Sequence, residues 1–230
     1  MKTIGLIGGM TWKSTLEYYR IINEEVNGRL GGFHSAKCLL YSVDFDEIER
    51  CQSEGNWESA GTILGEAAAS LEKAGAEFIV ICTNTMHKVI DHIEEQIKIP
   101  VLHIADATAN QIKSSNIKTV GLLGTKYTME QDFYISRIES NGIKVVVPNE
   151  EERIHVNKVI YEELAFGQIV QSSRDYYKKV IRNLVDNGAE GIILGCTEIG
   201  LLIKPEDSEV PLFDTTMIHA IEAVNTALEK

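Results

Sequence analysis

Three pairs of short segments recur in the same order in the two halves of this chain, and that repetition constrains the fold more than any other feature. Ile4-Gly5-Leu6-Ile7-Gly8 matches Val120-Gly121-Leu122-Leu123-Gly124. Gly75-Ala76-Glu77-Phe78-Ile79-Val80-Ile81 matches Gly188-Ala189-Glu190-Gly191-Ile192-Ile193-Leu194. Ile99-Pro100-Val101-Leu102 matches Val210-Pro211-Leu212-Phe213. One match would say little, because glycine-rich βα turns share chemistry. Three in order, at nearly constant offsets, point to a duplicated half-domain. The matched segments are apolar runs of strand length, and the full pattern predicts strands at 3–7, 36–42, 78–81, 100–103, 119–123, 144–147, 191–194 and 211–213. Helical periodicity fills the intervals. Over Trp57–Lys73, for example, Ala60, Ile63, Leu64, Ala67, Ala68 and Leu71 recur on one face. Ser14 and Glu17 fit a capping box. Strands alternating with helices predict two pseudo-symmetric α/β domains, each a mostly parallel sheet flanked by helices. The expected halves are 1–116 and 117–230, divided where Ser114-Ser115-Asn116 breaks a helix, with the C-terminal helix free to pack back on the first half. Ligands in such folds bind beyond the C-terminal strand ends, so the site is expected in the cleft between domains.

The chain is acidic, with a net charge of −12 over 230 residues. A surface of that sign repels phosphate backbones, which argues against a nucleic-acid partner and otherwise serves solubility. No apolar run approaches the roughly 20 residues that span a bilayer, so no membrane partner is expected. The opening segment 1–9 reads as a strand entering a glycine turn rather than a secretion signal. Cys38, Cys51, Cys82 and Cys196 are widely spaced and form no C-x-x-C pair, the pattern of free thiols in a reducing cytoplasm. The six histidines are scattered, and no metal-ligand spacing is visible.

Each Gly-Ala-Glu strand runs into a polar turn. The first is Cys82-Thr83-Asn84-Thr85, followed by Met86-His87; the second is Gly195-Cys196-Thr197-Glu198. Small polar side chains and free N–H groups at a helix start suit a carboxylate. A pseudo-twofold axis would set the two turns against one small anionic or zwitterionic ligand. Opposed proton-transfer groups suit inversion of a stereocentre, in which one group removes a proton and another supplies one to the other face. A thiolate serves as the base if helix N-termini and a polar site lower its pKa from roughly 8.5. The competing role of Cys196 is that of a small buried apolar residue.

The opening Ile-Gly-Leu-Ile-Gly-Gly-Met, the Cys-Thr-Asn-Thr-Met-His at 82–87 and the Gly-Cys-Thr-Glu at 195–198 resemble the aspartate/glutamate racemase family, over nearly the whole chain. The resemblance is strongest to its L-aspartate/glutamate-specific or broad-specificity amino-acid racemases. It implies a two-domain pseudo-symmetric fold, acid–base cysteines, no pyridoxal phosphate or other cofactor, and a homodimer. Carried over from the family's motifs, Asn84, Thr85 and Thr197 clamp the α-carboxylate and ammonium, Met10 forms a wall and Gln52 lies where the side chain is contacted. Thr125 is a weaker candidate. Asn and Thr also cap helices, Met10 also suits a core, and Gln52 also suits a solvated loop. His87 either orients the first turn or sits on a helix surface.

The first turn departs from the family pattern, which places a cysteine directly before Asn-Thr; Thr83 stands there, and Cys82 one residue earlier. An ungapped offset of 113 between the halves aligns Thr83 with Cys196 and Cys82 with Gly195. A one-residue shift in extended chain points a side chain to the opposite face. Thr83 is therefore assigned the first catalytic position and Cys196 the second, with a bulge that brings Cys82 into play as the alternative. By resemblance, Cys196 attacks the L-enantiomer, and L-to-D turnover is expected to exceed D-to-L. Aspartate-specific relatives carry a lysine shortly before a glycine, and the stretch from Ile160 to Gly167 has none. The substrate is thus L-Asp, L-Glu or a broader set. Another thiol enzyme of the same scaffold (a maleate isomerase, hydantoin racemase or decarboxylase) and a non-catalytic amino-acid-binding module remain the alternatives.

Overall fold

The computed structural model describes residues 1–229. The chain forms two compact units. One comprises Met1–His103 together with the segment from His219 on, and the other Ile104–Ile218. Among the described residues no helix is long and apolar enough to cross a membrane.

The first unit runs β1 (Ile4–Gly8), α1 (Trp12–Leu30), β2 (Cys38–Ser42), α2 (Phe45–Ser53), α3 (Trp57–Lys73) and β3 (Phe78–Ile81). A 3-10 segment, Thr85–Val89, then enters α4 (Ile90–Glu94), and β4 (Val101–Leu102) closes the sheet. All pairings are parallel, in the order β2-β1-β3-β4. Alternate strand residues feed two separate apolar layers. Ile7, Ile79 and Ile81 pack with Ile48, Ala60, Leu64, Ala67 and Ala68 of α2 and α3. Ile4, Leu6, Phe78, Val80 and Cys82 pack with Tyr18, Ile22 and Val26 of α1, and with Ala220, Ala223, Val224 and Ala227 near the end of the sequence.

The second unit runs α5 (Ile104–Ser114), β5 (Thr119–Gly124), α6 (Lys126–Glu130), α7 (Asp132–Glu139), β6 (Lys144–Val146), α8 (Glu150–Glu162), α9 (Gln171–Asp186), β7 (Gly191–Gly195), α10 (Ile199–Leu202) and β8 (Leu212–Asp214). Helix α11 (Thr215–Leu228) begins there and supplies the alanine-rich face of the first unit's core. The sheet order, β6-β5-β7-β8, is again wholly parallel. Val120, Leu122 and Leu123 of β5 and Ile192, Ile193 and Leu194 of β7 share one core with Tyr134, Ile138, Val156, Tyr177 and Val180.

The duplication is thus physical. Ile4 pairs with Phe78 in the first sheet, and their repeat partners Val120 and Gly191 pair in the second. Every expected strand is present, displaced at its ends by a residue or two. The helix predicted over Trp57–Lys73 has those bounds. The helix break at 114–116 is real, with Asn116 at φ +58°. The two cores nevertheless divide at 103/104 rather than 116/117, because Ile104, Ala105, Ala109 and Ile112 of α5 are buried in the second core. The capping box at Ser14 and Glu17 does not form. Gly9 takes φ +97° in the β1–α1 turn, and the helix starts early enough for Thr11 to be its N-cap, accepting from Ser14 N at 3.4 Å. A true capping box joins Asn149 and Glu152 at the start of α8.

Candidate active site

Two turns carry the candidate chemistry, one per unit, and each leaves the C-terminal end of a central strand. In the first unit the alternation of β3 decides which side chain goes where. Cys82 continues the row of Phe78 and Val80 into the apolar layer and is fully buried. Its Sγ has only a weak contact with Val80 O at 3.9 Å, and burial pushes the thiol far above its ordinary range. Thr83 is partly exposed, with its N–H turned back onto Ile81 O at 2.8 Å. No bulge rotates Cys82 out of the core. Asn84 and Thr85 follow, both buried, and the Asn84 carbonyl accepts from His87 N at 3.1 Å.

Met10 lies in the apolar layer with Ile48, Cys51 and Met86. Gln52, on α2, is buried rather than solvated, and its Nε2 donates to Met86 Sδ at 3.0 Å. Met10 and Gln52 are thereby brought to the 3-10 segment that carries Thr85. His87 is not on a helix surface. It is buried, and its Nδ1 meets Thr83 O at 2.9 Å. Ser14 was not among the sequence candidates, yet its Oγ donates to Cys82 O at 3.1 Å.

In the second unit Gly124 pairs with Gly195, so Thr125 and Cys196 leave neighbouring strand ends together. Thr125 is buried and caps α6, sharing a hydroxyl contact with Thr128 at 3.2 Å. The Cys196 thiol donates to Glu198 Oε2 at 3.1 Å, and Thr197 Oγ1 donates to the same oxygen at 2.6 Å. A lowered thiol pKa was expected here, and the reverse holds. Burial and then the Glu198 charge push Cys196 well above 9.0, outweighing the backbone amides of Glu198 and Ile199 that pull it down. The thiol is held in its neutral form, with its hydrogen directed at the Glu198 carboxylate. Glu198 stands in the Gly-Cys-Thr-Glu motif itself, and its position two residues after a candidate base was the available signal. Between Ile160 and Gly167 there is no lysine, and the preceding one, Lys158, pairs at the surface with Glu162 at 3.7 Å.

Among the described residues no group of three His, Cys, Asp or Glu side chains is placed to hold a metal ion. The family model for Asp/Glu/Hydantoin racemase matches residues 7–223. The broad-specificity amino-acid racemase of Bacillus subtilis (strain 168) is 25% identical over 98% of each chain. A candidate Asp/Glu racemase of Yersinia pestis, known as a crystal structure, is 57% identical with a TM-score of 0.93 over 100% of both chains. An aspartate racemase homologue from Pyrococcus horikoshii OT3 is 40% identical, with a TM-score of 0.87 and the same full coverage. With the duplicated parallel sheets, the matched pair of turns and a family model that spans nearly the whole sequence, the chain belongs to the Asp/Glu/Hydantoin racemase family.

Proposed function

We propose that this chain interconverts the enantiomers of an amino acid, L-aspartate and L-glutamate first among the candidates, with neither pyridoxal phosphate nor a metal. The observation that carries the reading is the Cys196–Glu198 contact. The thiol passes its proton to Glu198, and the thiolate removes the α-proton of the L-enantiomer. The shift leaves the pair's net charge unchanged, so a buried site need not hold a second negative charge. The carbanion is protonated on its other face from the Thr83 turn, by the hydroxyl or by water bound to it. The proton left on Glu198 returns to solvent as the Thr83 side draws one in. A threonine hydroxyl is a poor base, so D-enantiomers react slowly in the reverse sense, within the limit set by the overall equilibrium.

Asn84, Thr85 and Thr197 hold the α-carboxylate and ammonium in this reading, Met10 walls the site and Gln52 offers its amide to the side chain, with Thr125 as a further contact. Neutral donors in place of a dedicated cation favour a range wider than aspartate alone. The test is a screen of L- and D-amino acids in deuterated water, reading α-deuterium and enantiomer together. Both should change for L-Asp or L-Glu, with faster initial rates at saturation from L than from D. Enantiomers have an equilibrium constant of one, so kcat/KM is equal in the two directions and the asymmetry lies in kcat; equal saturated rates from L and D would sink the asymmetric mechanism. Binding without exchange would favour an amino-acid sensor, and turnover of a diacid or hydantoin instead would favour another thiol enzyme of this scaffold. A homodimer in the cytoplasm completes the reading, and light scattering on the purified chain checks the dimer.

A further inference from the structure

Behind the first turn lies a group of buried polar rings that the mechanism above leaves unused. His87, His103, His219 and Tyr18 are all buried. The ring of His87 lies 4.6 Å from that of His103 and 5.7 Å from that of His219. A carbonyl oxygen cannot donate, so His87 Nδ1 carries the hydrogen in its contact with Thr83 O, at 2.9 Å. By the same logic His219 Nε2–H donates to Leu102 O at 2.9 Å, and its Nδ1 accepts from Tyr18 Oη at 2.8 Å. Burial keeps both rings neutral, with His87 well below its ordinary pKa and His219 at about 3.

Two successive carbonyls of the first turn are therefore gripped by side chains, Cys82 O by Ser14 Oγ and Thr83 O by His87 Nδ1. Fixing both carbonyls fixes the peptide planes around Thr83, and with them the direction of its Cβ. The repeat shows that this grip belongs to one half only. The offset of 113 sets Gly200 opposite His87 and Thr85 opposite Glu198. At the register position of the His87 ring the cysteine turn has a glycine, and at the register position of the Glu198 carboxylate the threonine turn has Thr85.

We propose that His87 is a positioning residue that aims the Thr83 hydroxyl at the face of the carbanion it must protonate. The proposal rests on the racemase reading. A hydroxyl is a weak acid and depends on placement more than a thiol does; misplacement by about 1 Å can cost roughly a hundredfold. Poor placement at Thr83 leaves proton removal by Cys196 largely intact and lets the carbanion return to the L-form. The diagnostic quantity is thus the ratio of α-deuterium entering recovered L-substrate to D-product formed, in deuterated water.

His87→Phe keeps the ring's volume and removes the N–H; His87→Asn keeps an N–H near the Nδ1 position. His87→Phe should raise the ratio by about tenfold, with a smaller change in total proton removal. His87→Asn should stay close to the wild-type ratio. If His87→Phe does not fold, His87→Ala with added imidazole takes its place. Recovery of the ratio by imidazole supports the proposal, and no recovery overturns it. A folded His87→Phe with the wild-type ratio, or equal shifts in the Phe and Asn variants, also overturns it. Wild-type enzyme that neither exchanges nor inverts any amino acid defeats the racemase reading, and this proposal with it, and that result is seen in the control alone.

Discussion

Cys82 and Thr83 are neighbours in sequence and opposites in environment, and the whole asymmetry of the proposed reaction hangs on that one-residue difference. Cys82 sits among Tyr18, Ile22 and Val224 with its thiol pushed far toward the neutral form, so it is unsuited to proton transfer. Cys82→Ala should cost about 1–2 kcal/mol of stability through the small cavity it leaves, with turnover of the folded protein nearly unchanged. Cys196→Ser should lower the L-substrate rate by at least about 10²–10⁴-fold, because a hydroxyl cannot hand its proton to Glu198 as a thiol can. Thr83→Cys should gain D-to-L activity by installing a second thiol. Chiral chromatography of the three variants, with thermal melts as fold controls, reads all of this. Cys82→Ala as inactive as Cys196→Ser would make Cys82 the working group. The burial of Cys82 was legible in the sequence, because strand alternation carries it into the layer of Phe78 and Val80. The contacts of His87 and Ser14 were not. Their partners, Thr83 O and Cys82 O, are backbone atoms, and the His219 ring that packs on His87 comes from far along the chain.

At the scale of elements, runs of three to seven residues between turn signals were enough to find the strands, since the central strands β1, β3, β5 and β7 are buried almost throughout and show no alternation to misread. Helix starts were harder. Ser14 and Glu17 have the right spacing for a box, but the cap is set by where the backbone leaves the sheet, and that is decided at Gly8 and Gly9. Gly9 holds φ +97°, and a Cβ there would run into the Val43 carbonyl beside β2. Relief would require moving the β2 connection, whose Val43 N–H is bonded to Gly8 O at 3.0 Å. Gly9→Ala should therefore lower the stability of the first unit by about 2 kcal/mol or more. It should also weaken substrate binding at Met10 more than its stability loss explains. Urea unfolding, with KM measured well below the transition, separates the two effects; a variant as stable as wild type would show that the turn tolerates a side chain. The division of the cores at 103/104 was not legible, because α5 carries apolar residues that would suit either half.

On the whole-molecule scale the buried histidines couple stability to pH. His87 and His219 stay neutral in the fold, with His219 at about 3, whereas an unfolded histidine titrates near 6.5. Between these values the unfolded chain binds more protons, so stability is full above about pH 6.5 and falls as the pH drops, by about 1.4 kcal/mol per unit for each ring. Between pH 6.5 and 5, where most carboxylates are still ionised, the loss should be about 2–4 kcal/mol. Both tryptophans, Trp12 and Trp57, lie in the first unit, so their fluorescence in urea follows it. A flat profile over that range would mean that the rings are protonated in the folded protein. The acid-sensitive rings also lie where α11 joins the first core, and that helix reverses the order in which the molecule is completed. In order of synthesis the second unit, Ile104–Ile218, precedes the alanine-rich face that Tyr18, Cys82 and Val80 need as cover. The half that is translated first is the half that is finished last.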